Sequence, residues 1–235
     1  MRRSRCLLTA MGVLLFATAC QRGADEPSPA NPDTAAAGAA AASSTEQATA
    51  NVTLRWSNAV VWSGDLNSCR QGETAATREC LVKAMQAGGA SADAVTAAEQ
   101  LSSAGELAYV TAWHDQDGVG VATVNYPFRA NTNEGTRLID ASGKRIDVDN
   151  LQLDDTLRAD PGVQALLTTD PQATPFAPAQ AAGSAPLDGG GVRLLYRTPL
   201  RECHACVDVG TVQIGYDFDA KRNFIAQQAV PSALK

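Results

Sequence analysis

Hydrophobic residues recur first with the period of a strand and then with the period of a helix in the part of the chain that begins near residue 51. Alternation over residues 52–62 predicts a first strand. Residues 74–87 predict a helix that ends at Gly88-Gly89. The apolar side of this helix consists of Ala76, Cys80, Leu81, Ala84 and Met85. Ser91 is placed to cap a second helix, so two short helices are expected ahead of the main β region.

The rest of the pattern is mainly that of strands joined by tight turns. The predicted strands span residues 107–114, 119–126, 137–140, 144–149, 192–198, 211–218 and 224–230. The first two are joined through Asp117-Gly118, a pair that tolerates the positive φ of tight hairpin turns. Most of these strands should therefore pair as antiparallel hairpins.

Two further segments complete the fold prediction. A third helix is expected to begin at Asp160-Pro161, and residues 170–191, rich in Pro, Ala and Gly, predict a long surface loop. Hairpins with segregated helices predict an α+β fold, a largely antiparallel sheet of hairpins with two or three short helices packed on one face. A doubly wound parallel fold would require regular alternation of strands and helices, and the pattern lacks it.

The first nineteen residues have the form of a secretory signal peptide. Three arginines precede an apolar run over residues 7–16 that is too short for a membrane-spanning helix of about 20 residues. The segment 16–20, Phe-Ala-Thr-Ala-Cys, resembles the lipobox of bacterial lipoproteins. That resemblance implies lipid on Cys20 and, because Gln21 follows rather than aspartate, an outer-membrane location, with the domain expected to face the periplasm. The alternative is an ordinary signal peptide cleaved after Ala19, and both interpretations export the chain.

Residues 20–50 form a predicted linker. Positions 21–50 contain eleven alanines and three prolines but no aromatic residue and no Val, Ile, Leu or Met. Such a segment cannot bury enough apolar surface to offset its ordering entropy, so a disordered tether is expected. As a flexible coil it would span on the order of 30 Å. Residues 51–235 are long enough for one core and are expected to form a single globular domain.

The charge balance excludes one class of partner. Loss of the signal peptide, which holds three arginines and no acidic residue, would change the formal net charge from −6 to −9. Nucleic acid is bound through basic patches, so it is not expected as a partner. The expected membrane attachment is the lipid anchor alone, because anionic headgroups repel an acidic domain.

Four cysteines remain after Cys20 is assigned to lipid. They are Cys69, Cys80, Cys203 and Cys206. Export to an oxidising compartment favours disulfides, and four cysteines allow three pairings. Proximity along the chain favours Cys69 with Cys80 and Cys203 with Cys206.

The motif Cys203-His204-Ala205-Cys206 has three interpretations. A structural bridge is favoured, because the motif precedes a predicted strand instead of opening a helix that would lower the thiol pKa. Its resemblance to the Cys-x-x-Cys motif of thiol oxidoreductases leaves a redox role open, with His204 as thiolate partner. A metal site is the third reading, but two cysteines and one histidine fall short of a full zinc set, and no metal is predicted.

Residues 126–133 form a polar loop opened by an aromatic pair. Its candidate binding residues are Tyr126, Phe128, Arg129, Asn131 and Asn133. The arginine and the asparagines are suited to a carboxylate of a small ligand or peptide. The alternative is that the asparagines only form the turn. Asp115-x-Asp117-Gly118 lacks the glutamate that would complete a calcium loop, so a hairpin turn is preferred there.

No catalytic motif accompanies these features. Gly-x-Ser-x-Gly, His-Glu-x-x-His and phosphate-loop patterns are absent from the sequence, and no cofactor or catalytic residue is predicted. The segments Cys-His-Ala-Cys, Tyr-Pro-Phe-Arg-Ala-Asn and Gly-Tyr-Asp-Phe-Asp resemble those of proteobacterial envelope lipoproteins without an assigned role. The expected function is a non-catalytic binding module of the cell envelope, for a protein or small ligand. A thiol-disulfide redox protein and an inhibitor or immunity lipoprotein against an envelope hydrolase are the alternatives.

Overall fold

The computed structural model describes residues 54–70, 77–131 and 133–231, which belong to one compact unit. The predicted signal peptide, Cys20 and the linker lie outside the described residues, and they stay predictions. The helices of the described residues are α1 (Asn67–Arg70), α2 (Arg78–Ala87), α3 (Ala92–Ser103), α4 (Asp155–Arg158) and α5 (Pro161–Thr169). None of the helices in these ranges has both the length and the apolar composition needed to cross a bilayer.

The strands pair throughout in antiparallel fashion and divide into two sheets. They are β1 (Tyr109–Gln116), β2 (Val119–Asn125), β3 (Glu134–Ile139), β4 (Arg145–Asp147), β5 (Thr174–Pro175), β6 (Gln180–Pro186), β7 (Val192–Arg201), β8 (Gly210–Phe218) and β9 (Phe224–Ala229). The first sheet has the order β1-β2-β3-β4. In the second, β7 lies beside β8 and β8 beside β9, while β5 and β6 both pair with β7. The predicted α+β fold is confirmed.

The first sheet forms the middle layer of the domain. Its apolar residues Val110, Ala122 and Val124 belong to a core cluster with Ala97 and Leu101 of α3. The alternate residues of the same sheet form a second cluster with the second sheet, and that cluster includes Val119, Val121, Leu138, Leu194, Ile214 and Phe218. Side chains on the two faces of β2 therefore belong to two different cores: Val119 and Val121 pack toward the second sheet, and Ala122 and Val124 pack toward α3.

The predicted cap of α3 at Ser91 is confirmed, and α2 is capped in the same way by Thr77. The Oγ1 of Thr77 accepts a hydrogen bond from the N–H of Cys80 at 3.2 Å, and the Oγ of Ser91 accepts one from Ala94 at 3.0 Å. Each bond satisfies a backbone donor in the first helical turn. The start of the predicted 74–87 helix lies partly outside the described residues, and the described helix begins after Thr77.

The predicted strand over residues 52–62 is wrong. Within the described part of that range, Asn58–Val60 forms a 3₁₀ turn, which starts where the Oγ of Ser57 accepts a hydrogen bond from the N–H of Ala59. The segment touches the first sheet through a single parallel bridge between Val61 and Val110. Its aromatic and aliphatic side chains are buried against the helices and the sheet, so the alternation reflects burial without strand pairing.

The predicted loop over residues 170–191 is also wrong, because it contains β5 and β6. Small residues dominate β6, which is a mostly exposed strand at the margin of the second sheet, so it has little apolar alternation to reveal it. A bulge between Ala181 and Gly183 interrupts its pairing, with Gly183 at φ +99°. Strand pairing here depends on the long neighbour β7, a partner that a local pattern does not specify.

Turns from both sheets meet at one end of the domain, here called the turn end. Arg222, in the β8–β9 turn, donates from Nε to the carbonyl of Asp117 at 2.6 Å and from Nη1 to the carbonyl of Gly190 at 2.9 Å. Asp117 and Gly118 both have positive φ, as the predicted hairpin turn requires. One arginine thus ties the two sheets together at the turn end.

Candidate binding site

An open cleft lies at the opposite end of the domain, here called the loop end. The β2–β3 loop (126–133) meets the β7–β8 loop (202–209) there. The cleft has a volume of about 620 Å³ and is lined by Asn125, Asn131, Asn133, Glu134, Pro178 and His204. All of these except Asn125 are exposed. The loop-end cleft therefore brings together two segments that stood apart in the sequence, the asparagine-rich loop and the Cys-His-Ala-Cys motif.

The β2–β3 loop is closed at its base by backbone hydrogen bonds. The N–H of Tyr126 donates to the carbonyl of Asn133 at 2.6 Å, and the N–H of Arg129 donates to the carbonyl of Tyr126 at 3.2 Å. The exposed Arg129 guanidinium lies 3.5 Å from the centre of the Tyr126 ring, a cation–π contact. The loop is thus held against the end of β2, and Asn131 and Asn133 project from it into the cleft.

The two aromatic residues of this loop pack on the core and do not line the loop-end cleft. Tyr126 is buried beside α3, because it continues the inward alternation of Ala122 and Val124 beyond the end of β2. Phe128 is half-buried and packs on the core that includes Trp62. Of the five predicted binding residues, the structure brings only Asn131 and Asn133 to the cleft.

A buried ionic cluster supports the base of the loop. The Tyr126 hydroxyl accepts a hydrogen bond from Nη2 of Arg137. Nη2 of Arg137 also lies 2.8 Å from a Glu106 oxygen, and Nη1 lies 2.6 Å from an Asp147 oxygen. Burial raises the pKa of Tyr126 to about 12, so its hydroxyl stays protonated at neutral pH. The cluster holds the base of the β2–β3 loop in place. The side chains of this loop that reach the cleft are the amides of Asn131 and Asn133.

The β7–β8 loop is closed by three cross-links. Cys203 and Cys206 form a disulfide, and the N–H of Cys206 donates to the carbonyl of Cys203 at 3.2 Å. Arg201 and Asp208 form an ion pair at 2.5 Å across the base of the loop. The Val209 N–H donates to a carbonyl of β7. A loop closed in this way loses little further entropy when it meets a partner.

Both predicted disulfide pairings are confirmed. The first bridge, between Cys69 and Cys80, joins α1 to α2. The Cys203–Cys206 bridge lies in a hairpin loop and not at the start of a helix, so helix-terminus stabilisation of a thiolate does not operate there. The position of the second pair agrees with the structural interpretation and leaves its redox behaviour to experiment.

His204 and Val207 are two of the exposed residues of this loop. The imidazole of His204 contacts the edge of the Phe176 ring, with a centroid separation of 5.1 Å. The guanidinium of Arg201 lies 4.6 Å from the centre of that same ring. Val207 exposes 82% of its surface, so it offers an apolar side chain to solvent on this cross-linked loop.

The chemistry available in the loop-end cleft is hydrogen bonding. The described residues of its lining offer amides, an imidazole and a carboxylate, and none of these described residues carries a hydroxyl or thiol nucleophile. Within residues 54–70, 77–131 and 133–231, no group of three or more His, Cys, Asp and Glu side chains is arranged to hold a metal ion. The two acids of the calcium-like segment instead belong to a turn, where Oδ1 of Asp115 accepts from the Gly118 N–H at 2.9 Å.

Three lining residues had no signal in the sequence. Asn125 and Glu134 face the cleft because β2 and β3 pair with these two residues opposite each other. Pro178 comes from the segment between β5 and β6, far away along the chain.

No protein family model matches this chain, and no curated protein and no solved structure matches it either.

Proposed function

We propose that this chain is an exported, lipid-anchored module of the outer membrane that faces the periplasm and binds an envelope protein without catalysis. The observation that carries the proposal is the position of the loop-end cleft beside the cross-linked β7–β8 loop. The cleft supplies polar groups, and the adjoining loop supplies Val207 as an exposed apolar anchor. Protein interfaces commonly combine a central apolar contact with polar groups around it.

The shape of the cleft favours a protein partner over an enclosed small ligand. Small-molecule sites bury most of the ligand surface within apolar walls. Here Asn131, Asn133 and His204 are exposed and the cleft is open to solvent. A protruding segment of another protein can reach such groups without entering a cavity, and the two cross-linked loops need little ordering on contact.

The location of the cleft suits a tethered protein. Leu54, the first described residue, lines a separate cleft at the turn end. The nine residues of β8 run between the two ends and span about 30 Å at 3.3 Å per residue. Leu54, the described residue nearest to a preceding tether, therefore lies at the end of the domain remote from the proposed site.

Site-specific photo-crosslinking of the full-length lipoprotein in cells tests the proposal. A photoreactive residue at position 131 should give one discrete adduct with an envelope protein, and Val207→Asp or His204→Ala should weaken that adduct. The same residue at position 86, on the exposed surface of α2, serves as the matched control and should give no such adduct. Equal adducts from both positions, or an adduct that Val207→Asp leaves unchanged, would contradict the proposal. An envelope hydrolase as the captured protein would identify the module as an inhibitor.

Thiol exchange is the second candidate function, and the exposure of Cys203 beside His204 is the observation that favours it. Equilibration of the full-length protein in a glutathione series measures the reduction potential of the Cys203–Cys206 bridge. Structural disulfides have potentials below about −300 mV, whereas exchange enzymes lie well above that value. A potential near those of exchange enzymes would replace the binding proposal with a redox role.

A further inference from the structure

A second cleft lies at the turn end, between the β1–β2, β3–β4 and β8–β9 turns. It has a volume of about 410 Å³, and its lining includes the indole rings of Trp56 and Trp113. Three charged side chains, Arg55, Asp115 and Lys221, lie exposed along its rim. None of these residues lines the loop-end cleft. This tryptophan cleft is therefore a separate feature that the proposed function does not use.

Trp113 lines the tryptophan cleft beside Gly120. Its ring lies so close to Gly120 that a Cβ added there would come within 2.0 Å of the ring. Only glycine allows the indole to lie so close to the neighbouring strand. The ring is half-buried and lines the cleft, so an apolar surface remains for a ligand to cover.

Trp56 forms a fixed wall of the same cleft. Its Nε1 donates to Oε1 of Gln100 at 3.0 Å, and Arg145 donates to that same oxygen at 3.1 Å. The ring is buried in the core between α3 and the first sheet. Because both indoles are held by neighbouring elements, the apolar part of the cleft is formed before any ligand arrives.

Two charged residues of the cleft are already committed to the fold. Asp140 accepts hydrogen bonds from Ser142, Lys144 and Phe224, and the Arg222 guanidinium binds backbone carbonyls. The charges left at the rim are those of Arg55, Lys221 and Asp115, with a net value of plus one. The chain as a whole has a net charge of −6, so this rim is a local exception that favours an anion.

We propose that the tryptophan cleft binds one or two units of an acidic sugar. A sugar ring has an apolar face that can stack on Trp113, hydroxyl groups that can bond to Asp115 and Ser142, and, in an acidic sugar, a carboxylate for Arg55 or Lys221. A purely aromatic ligand would cover the indole but form no hydrogen bonds with these polar groups, so it would gain less affinity than a ligand that does. A neutral sugar would not use the cationic rim.

Titration of the full-length protein in detergent, followed by intrinsic tryptophan fluorescence and by saturation-transfer NMR, tests this inference. The disaccharide of N-acetylglucosamine and N-acetylmuramic acid is compared with chitobiose, which lacks the lactyl carboxylate but has the same rings. Digalacturonate tests a uronic acid as the other source of the carboxylate. Either acidic probe should bind more tightly than chitobiose. Added salt should reduce this difference in affinity, because it screens the charges. Indole-3-acetate is titrated in the same way as the aromatic comparison ligand. Equal affinity for the acidic and neutral sugars would overturn the proposal. So would the failure of both acidic sugars to bind at 20-fold the concentration used for indole-3-acetate.

Variants locate the binding and separate it from folding. Arg55→Ala should weaken binding of the acidic probe about threefold to tenfold, the range for a partly exposed charged contact. Trp113→Ala should abolish it, but that change also removes packing on Gly120, so circular dichroism must confirm the fold. Arg197→Ala, an exposed arginine on β7 outside the cleft, is the matched control and should have no effect. Tighter binding of indole-3-acetate than of both acidic sugars, or equal loss in Arg55→Ala and Arg197→Ala, would contradict the assignment.

Discussion

Arg137 illustrates what a sequence pattern does not reveal about one residue. It lies in β3 between Thr136 and Leu138, and its side chain exposes only 3% of its surface. A buried cation requires partners, and the chain provides Glu106 from the segment before β1 and Asp147 from β4. Because these partners come from other elements, neither the burial nor the cluster follows from the local alternation around Arg137.

Replacement of Arg137 by methionine should lower the free energy of unfolding by about 3 kcal/mol, because it leaves two poorly hydrated carboxylates without their counter-ion. Urea unfolding of the full-length protein measures the loss. Lys83→Met on α2 is the control, because the Lys83–Glu79 pair is largely exposed and such pairs contribute less than about 1 kcal/mol. A loss for Arg137→Met no larger than that of Lys83→Met would show that the cluster contributes little to stability.

Asp140 should give a measurable pH dependence of stability. Burial tends to raise the pKa of its carboxyl, but hydrogen bonds from Ser142, Phe224 and Lys144 outweigh burial and lower it below its usual value. The stabilisation is therefore present above the unfolded pKa and is lost as pH falls through the lower folded pKa. Asp140→Asn should lower the free energy of unfolding by about 2 kcal/mol at pH 7.

The difference between wild type and Asp140→Asn should shrink as the pH is lowered from 5 to 2, when the wild-type carboxylate becomes protonated. Thermal or urea unfolding at each pH measures the difference. Ser142→Ala removes one donor to the same carboxylate, so it should give a smaller effect in the same direction. A difference that stays constant over this pH range would exclude Asp140 as the source.

At the scale of elements, the sequence predicted those units whose signals are local. The β1–β2 hairpin depends on Asp117-Gly118 and on alternation within its own strands, and both are visible in seventeen adjacent residues. The α3 helix depends on the Ser91 cap and its own apolar side. By contrast, β6 exists because β7 pairs with it, and Trp56 and Val60 are buried because they pack in one cluster with α3. Such elements require the tertiary partner to be known first.

The two disulfides should contribute unequally to stability. In the loop-entropy model, the Cys69–Cys80 bridge contributes about 3 kcal/mol and the shorter Cys203–Cys206 bridge about 2 kcal/mol, because the longer loop loses more freedom in the unfolded chain. Double replacement by serine at each pair, followed by urea unfolding, compares them. Loss of the Cys69–Cys80 bridge should lower the free energy of unfolding more than loss of the Cys203–Cys206 bridge, since it also removes the covalent link between α1 and α2. The reverse order would indicate that the β7–β8 loop supports more of the fold than its entropy suggests.

At the scale of the whole molecule, the candidate sites separate to opposite ends of the domain. Asn131, Asn133 and His204 were candidate binding or redox residues from the sequence, which carries no sign that they share one cleft. It did not nominate Trp113 at all, because a tryptophan in an alternating strand is read as core. Site composition depends on which loops meet at an end of the two sheets, and that is a property of the topology.

The final prediction concerns the anchor that would join this domain to the membrane. If Cys20 is the lipidation site, Cys20→Ala should abolish labelling by radioactive palmitate and leave unprocessed precursor, because the resemblance to the lipobox makes that cysteine both the acceptor and part of the cleavage signal. Cys6→Ala, in the predicted signal peptide, is the matched control and should leave labelling intact. Gln21→Asp should instead retain a labelled protein in the inner membrane, as separated by density-gradient fractionation. Normal cleavage of Cys20→Ala with release of soluble protein would establish an ordinary signal peptide, and the domain would then act as a free periplasmic binder.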